Sequence, residues 1–150
     1  MKEQPKQVTA AVVAATMATE DAWRRLEEEF GLLTSAEVLV LLRPEGAESF
    51  KLDLELGARA EILHTVRRNS VYYPRFQFDE RLGEVRPWVK PLLRLAKRYG
   101  LDHDDIILWL VRPTTYLGAN ADGTAPRPVD VVDNTARIID VAEKAWEARQ

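Results

Sequence analysis

The chain of 150 residues contains no cysteine. Disulfide bonds, zinc ribbons and thiol catalysis are therefore excluded, and the composition is easiest to reconcile with a reducing cytoplasm. No apolar run approaches the roughly 20 residues that a membrane-spanning helix requires. We therefore expect a cytoplasmic protein that does not insert into a membrane.

Side chains that commonly carry catalysis are also scarce. The only histidines are His64 and His103, and neither has a second histidine or a patterned carboxylate at metal-ligand spacing. The sequence has no phosphate-cradling glycine loop, no Gly-x-Ser-x-Gly elbow and no dinucleotide-binding fingerprint. These absences predict a protein that binds a partner, with no enzymatic activity, cofactor or metal ion.

Charge is unevenly distributed along the chain, although the formal net charge is only −3. Residues 67–98 carry 9 basic and 3 acidic side chains, whereas residues 1–66 carry 7 and 12, and residues 99–150 carry 5 and 9. A basic segment between acidic flanks suits a phosphate contact or an acidic partner. A solvated face without a partner explains the same pattern, and the sequence leaves both interpretations open.

Apolar spacing predicts a mainly α-helical chain with one compact core. A first helix is predicted over residues 8–30, and the capping sequence at residues 34–37 starts a second one. A third helix is predicted over residues 48–62, after a break at Pro44. The β-prone residues on both sides of the turn-forming residues 67–70 predict a small hairpin, or wing.

The second half of the chain has a clearer helical pattern. Residues 86–99 carry an apolar stripe and end at Gly100, and Asp102 caps a helix whose residues 106–111 are all apolar. Six consecutive apolar residues predict a helix that is buried on nearly all sides. A last amphipathic helix begins near Asn134.

Helix, break, helix and hairpin together form the outline of a winged helix-turn-helix. The candidate recognition helix carries four carboxylates, at Glu48, Asp53, Glu55 and Glu61. Cationic and amide side chains normally read base edges, and phosphates repel carboxylates, so this helix is a poor reader of DNA. A DNA-binding module and a structural or dimerising helical pair remain alternatives. If DNA is bound, the expected contact residues are Lys51, Arg59, Arg67, Arg68 and Arg75.

Four motifs follow one another between Tyr72 and Trp146. They are the stretches Pro74–Asp79, with Phe-Gln-Phe-Asp at its end, Val85–Pro87, Trp109–Gly118 and Pro128–Asp130. In this order they resemble the toxin-binding domain of the MbcA/ParS/Xre-type antitoxins. That family has a Phe-Gln-Phe-Asp lead-in, a Val-x-Pro step, a Trp-Leu-x-x-Pro-x-x-x-Leu-Gly turn and a Pro-Val/Leu-Asp segment before a last helix. It makes the connection after the turn more tightly, so residues 119–125 look like a small insertion here.

The resemblance implies an antitoxin of a type II toxin-antitoxin system. Such antitoxins neutralise a RES-domain toxin, an enzyme that consumes NAD, by covering its active-site entrance, largely with their C-terminal region. They commonly dimerise, and the toxin-antitoxin complex often represses its own operon through the antitoxin's DNA-binding module. Carried over by position, the expected toxin-binding residues are Arg112, Tyr116, Pro128, Asp130, Glu143, Trp146, Glu147 and Arg149.

Trp146 has two interpretations. It either folds back on the core or anchors the partner, since tryptophan and arginine dominate interface hot spots. If it anchors the partner, deleting residues 145–150 is expected to leave the fold nearly intact and to abolish protection against the toxin.

The expected fold class is mainly α, a helical bundle with a small β-hairpin (wing) between an N-terminal helix-turn-helix-like part and a C-terminal helical toxin-binding part. The predicted segments are a helix at 1–33, the helix-turn-helix-like module at 34–78 and the toxin-binding domain at 79–150. Two other functions remain open: a stand-alone winged helix-turn-helix transcription regulator and a non-catalytic helical assembly protein. A neighbouring gene for a RES-type toxin favours the antitoxin, and a salt-dependent gel shift favours the regulator.

Overall fold

The computed structural model describes residues 9–55, 61–131 and 133–149. The protein is mainly α-helical, as the sequence predicts, with six α-helices in this described part. The helices are α1 (Ala10–Glu29), α2 (Ser35–Leu41), α3 (Pro44–Glu55), α4 (Val89–Arg98), α5 (His103–Val111) and α6 (Thr135–Glu147).

Five short strands accompany these helices in the described ranges. β3 is the central strand of an antiparallel sheet with the order β1-β3-β2, and β4 pairs with β5 in a separate hairpin. Arg68 and Asn69, which join β2 to β3, have φ angles of 52° and 65°. Two successive residues with positive φ form a turn whose twist matches that of the flanking strands. The strands are β1 (Leu32–Leu33), β2 (Thr65–Arg67), β3 (Ser70–Pro74), β4 (Phe78–Asp79) and β5 (Glu84–Val85).

Side-chain caps fix the starts of three helices where the sequence predicts them. The Thr34 hydroxyl accepts the Glu37 amide at 3.2 Å, and the Glu37 carboxylate accepts the Thr34 amide at 3.0 Å. The hydrogen bonds with Thr34 lower the pKa of Glu37. Asp102 and Asp105 form the same reciprocal pair before α5, and Asn134 caps α6. Each cap satisfies amides that the first helical turn leaves without partners.

The third helix differs from its prediction at both ends. It begins at Pro44, not at Glu48, because proline fits the first helical position, where no amide donor is needed. Its described part runs to Glu55, and Ile62 lies outside any helix. The predicted interior position Gly57 lies outside the described residues.

Two groups of buried apolar side chains form the core. The first contains Trp23 and Leu26 of α1 together with buried residues of α4, α5 and α6. The second joins α2 and α3 to the sheet of β1, β3 and β2, with Phe50 packed edge-on against Tyr73 at 5.3 Å. The N-terminal helix therefore packs on helices that are distant in sequence. Across the described ranges, no helix has the combination of length and hydropathy that crossing a bilayer requires.

Gln77 links the segment before β2 to the turn after β3. Its side chain is fully buried. The amide oxygen accepts the Leu63 backbone N–H at 2.7 Å, and the amide nitrogen donates to the Leu63 carbonyl at 2.7 Å. A single side chain thus satisfies both polar groups of a buried residue, as a neighbouring strand would.

Gly83 docks the β4–β5 hairpin against the turn between α2 and α3. Its φ angle is +64°, and its carbonyl accepts the Arg43 backbone N–H at 2.9 Å. A Cβ atom here would lie 2.9 Å from the Arg43 Cγ atom and 3.1 Å from the Arg43 backbone nitrogen. Glycine is required because both the conformation and the space exclude a side chain.

Candidate partner-binding surfaces

The exposed face of α3 is acidic. Glu45, Glu48, Leu52 and Glu55 follow one another at helical spacing, and all four side chains are exposed. Lys51 is exposed on the flank of this row. A helix with this face presents mainly carboxylates to any phosphate backbone that approaches it.

Two of the arginines predicted to bind DNA are held by acidic side chains of the protein. Arg67 donates to Glu20 at 3.0 Å, and its guanidinium lies 4.9 Å from the centre of the Trp23 ring. Arg75 forms an ion pair with Glu80, which raises the pKa of Arg75 and lowers that of Glu80. Both guanidiniums would have to leave or share these partners in order to bind a phosphate.

The remaining predicted DNA contacts have different surroundings. Arg68 is exposed at the tip of the β2–β3 hairpin, and Lys51 is exposed on α3. Among the residues that the structure describes, neither lies within ion-pair distance of a carboxylate. Arg59 lies outside the described residues. Exposed cations without an ion pair are therefore few among the described residues of this module, and one of them, Lys51, stands on the acidic helix itself.

The predicted toxin-binding residues divide into exposed and buried groups. Tyr116 is 46% exposed in a short 3-10 turn at Thr115–Leu117 that packs against α6. The Arg137 guanidinium of α6 donates to the Leu117 carbonyl at 3.3 Å and ties this turn to the helix. Pro128 and Trp146 are buried. The exposed residues of the set are Arg112, Tyr116, Asp130, Glu143, Glu147 and Arg149.

Burial decides between the two interpretations of Trp146. The side chain is 1% exposed, and its ring packs edge-on against Trp109 at 5.1 Å and Tyr99 at 6.2 Å. The ring is covered by the core, as the first interpretation expects, and it is therefore not exposed to a partner in the isolated chain. Pro128 is buried as well, so its ring is likewise not exposed in the isolated chain.

Asp130 is exposed, but its carboxylate already accepts hydrogen bonds from Arg127. It accepts hydrogen bonds from Arg127 at 3.0 and 3.2 Å, and Arg127 also donates two hydrogen bonds of 2.8 Å to Glu29 at the end of α1. The Arg127 guanidinium lies 5.5 Å from the centre of the Phe30 ring. Hydrogen bonds from Arg127 lower the pKa values of Glu29 and Asp130. Arg127, which the sequence patterns did not single out, thus fixes the segment before α6 to α1.

The exposed carboxylates of the last helix lie away from the Tyr116 turn. Glu143 and Glu147 occupy one face of α6 at a spacing of four residues. Arg137, beside the turn, is ten residues before Glu147, which corresponds to about 15 Å along the helix. Glu147 therefore stands at the end of α6 away from the turn, and Glu143 stands one helical turn before it.

A basic groove lies on α4, outside the predicted sites. Lys90, Arg94 and Lys97 line one side of a cavity of about 480 Å³, with His103 at the start of α5. The His64 backbone N–H donates to His103 Nδ1 at 3.2 Å, and the two rings are 4.1 Å apart. In the sequence, the spacing of the three cations indicates a common helical face, but only the fold shows that this face lines a groove.

Comparison with known proteins supports the fold and not a function. The chain matches no known family profile and no curated protein. It is similar to the NMR structure of Rv2175c, with a TM-score of 0.57 and 21% sequence identity over 81% of this chain and 83% of that one. At this identity the similarity concerns the mainly α-helical architecture alone.

Proposed function

We propose that the protein is an antitoxin that binds and blocks a NAD-consuming RES-domain toxin. The observation that carries the proposal is the exposed Tyr116, which stands on the Trp109–Gly118 turn of the resembling region, beside the last helix. A tyrosine exposed on a turn that is tied to a helix presents a large, pre-ordered contact area.

The exposed groups of α6 suggest how such a binder covers a substrate entrance. The toxin's site accepts a dinucleotide, so it must contain groups that attract phosphates. Glu143 and Glu147 can meet the same cationic groups and imitate the charge of the substrate. In this proposal Tyr116 contributes apolar contact, and the carboxylates contribute selectivity.

Co-expression with the neighbouring toxin gene tests the antitoxin proposal. Tyr116→Ala is expected to weaken the complex by roughly 2 kcal/mol, about 30-fold in Kd, because truncating a desolvated anchor has costs of this size. Growth protection should fall accordingly, and Glu143→Gln with Glu147→Gln should weaken the complex further. Leu82→Ala, at an exposed apolar residue on the β4–β5 hairpin, is the matched control. If a protein that carries all three substitutions still protects fully, then Tyr116 and the two carboxylates do not contact the toxin.

A second candidate function is DNA binding by a winged helix-turn-helix. The observation that favours it is the order of helix, strand, two helices and hairpin, with the sheet order β1-β3-β2. This order supports the predicted bundle with a wing. The acidic row on α3 and the ion pairs of Arg67 and Arg75 argue against strong, sequence-specific reading.

We expect the isolated protein to bind duplex DNA weakly, with an affinity that falls steeply as salt is added. Arg68→Gln should remove most of the binding, because Arg68 is the exposed cation at the hairpin tip, whereas Arg112→Gln should not change it. Gel shifts at several salt concentrations measure both effects. Tight operator binding by the protein alone at physiological salt would favour the regulator over the antitoxin. A protein that binds neither toxin nor DNA would instead fit the helical assembly role.

A further inference from the structure

The basic groove on α4 combines a cationic side with an apolar floor. Lys90, Arg94 and Lys97 stand at positions i, i+4 and i+7, and Leu93 and Leu101 lie among the apolar lining residues. Glu61 closes one end of the groove through a 3.3 Å ion pair with Lys90. Within the described ranges, Arg94 and Lys97 have no carboxylate at ion-pair distance. Such a groove suits an acidic segment that also carries an apolar side chain.

The exposed face of α3 has the complementary pattern. Glu48, Leu52 and Glu55 also stand at positions i, i+4 and i+7, so this row and the cationic row each span about 10 Å. Leu52 is 53% exposed between the two carboxylates. In the part of the chain that the structure describes, neither glutamate forms an ion pair. The acidic row of α3 and the cationic row of α4 thus have equal spacing and opposite charge. In the described part of the chain, Lys90 is the one charged residue of the two rows that forms an ion pair.

We propose that α3 of one molecule docks in the basic groove of a second copy of this chain. Glu48 and Glu55 then face the cationic row, and Leu52 reaches the apolar floor near Leu93. A polypeptide is favoured over nucleic acid because the floor is apolar and a phosphate backbone has no apolar group to place there.

Two-fold symmetry makes the contact reciprocal. Each molecule carries both the helix and the groove, so a symmetric dimer repeats the contact and doubles the buried area. A stable interface generally buries about 1,200 Å² or more in total, and one short helix in one groove does not readily supply this area. The symmetric arrangement is therefore favoured, because it contains the contact twice. Because the contact is largely ionic at its rim, the dimer should weaken as salt is added.

Charge reversal on each side provides the test. Variant A is Glu48→Lys with Glu55→Lys, and variant B is Arg94→Glu with Lys97→Glu. Each variant alone is expected to lower dimer affinity by roughly 100-fold or more, because like charges then face one another. A one-to-one mixture should restore the dimer, since in the mixed pair one contact has its charges exchanged and the other is of wild type. Sedimentation equilibrium with one variant labelled measures both results.

The control is a reversal of two exposed charges away from both surfaces. Arg112→Glu with Arg149→Glu reverses two exposed charges elsewhere and should leave the dimer unchanged. Exposed substitutions of this kind usually change stability by less than about 0.5 kcal/mol, and circular dichroism verifies folding. If a reversed variant is unfolded, Leu52→Ser and Arg94→Gln replace it and should each weaken the dimer.

A monomeric wild type up to about 1 mM, or variants A and B that dimerise like wild type, would overturn the proposal. Failure of the folded mixture to pair would overturn it as well. Loss of duplex DNA binding in variant B, with no dimer in any sample, would assign the groove to phosphates.

Discussion

Replacing Trp146 by alanine is expected to lower the free energy of unfolding by about 3 to 5 kcal/mol, the range typical of large-to-small substitutions in a packed core. The side chain is 1% exposed and contacts the rings of Trp109 and Tyr99. Its indole nitrogen has no hydrogen-bond partner among the described residues, so the loss should come from packing and from the cavity.

Urea denaturation followed by far-ultraviolet circular dichroism measures this loss, because the signal does not depend on the removed indole. Glu147→Ala, at the next and exposed position, is the matched control and should change stability by less than about 0.5 kcal/mol. Deleting residues 145–150 removes Trp146 and the buried Ala145 and should therefore destabilise the fold. This expectation corrects the sequence-based one, in which the deletion leaves the fold nearly intact. Equal stability of Trp146→Ala and wild type would contradict the burial of this ring.

Replacing Gln77 by leucine is expected to lower the free energy of unfolding by about 2 to 5 kcal/mol. Leucine preserves much of the volume but leaves the backbone N–H and C=O of Leu63 without partners in a buried place. Each unsatisfied buried polar group costs about 1 to 3 kcal/mol. Urea denaturation measures the loss. The appropriate control is a replacement of similar shape at residue 77 itself, because an exposed position does not reproduce these buried surroundings.

Gln77→Glu is that replacement, and it adds a dependence on pH. A carboxylate can accept the Leu63 N–H but meets the Leu63 carbonyl oxygen with like charge, and burial disfavours the charged form. The folded-state pKa should therefore lie above the unfolded value, near 4.3. The protonated carboxyl can accept the Leu63 N–H and donate to the Leu63 carbonyl, as the glutamine amide does. The stability that these two hydrogen bonds give to Gln77→Glu is therefore present below the unfolded pKa and is lost as the pH rises through the folded pKa. If the stability difference between Gln77→Glu and Gln77→Leu does not change with pH, the proposed two-point hydrogen bonding is wrong.

The burial of Gln77 and Trp146 also matters for the antitoxin proposal. Gln77 and Trp146 both belong to the region that resembles the toxin-binding domain, and both are buried. Their side chains therefore maintain the fold of this region, whereas the exposed Tyr116 and the carboxylates of α6 remain available to a partner. Loss of protection in a Trp146 variant would reflect unfolding and would not by itself identify a contact.

Local structure was largely predictable from the sequence, because its causes lie within a few residues. The threonine and glutamate of the α2 cap, the two aspartates of the α5 cap and the cap at Asn134 each satisfy amides three residues away. The run at residues 106–111 indicated a buried helix, and four of its six side chains are buried. The start of α3 was not predicted correctly, because proline both breaks a preceding helix and begins a new one, and the pattern does not distinguish these roles.

Only the tertiary structure decided which side chains are available to a partner. Trp146 has the composition of an anchor, but it lies against Trp109 and Tyr99, which are 37 and 47 residues earlier in the chain. Arg67 and Arg127 are held by Glu20 and Glu29, which the sequence places 47 and 98 residues away. The sequence by itself determined the mainly α-helical class, most of the helices and the caps of α2, α5 and α6, because these depend on periodicity and short-range hydrogen bonds. Exposure and charge pairing depend on which distant segments meet, and that is set by the packing of the whole chain.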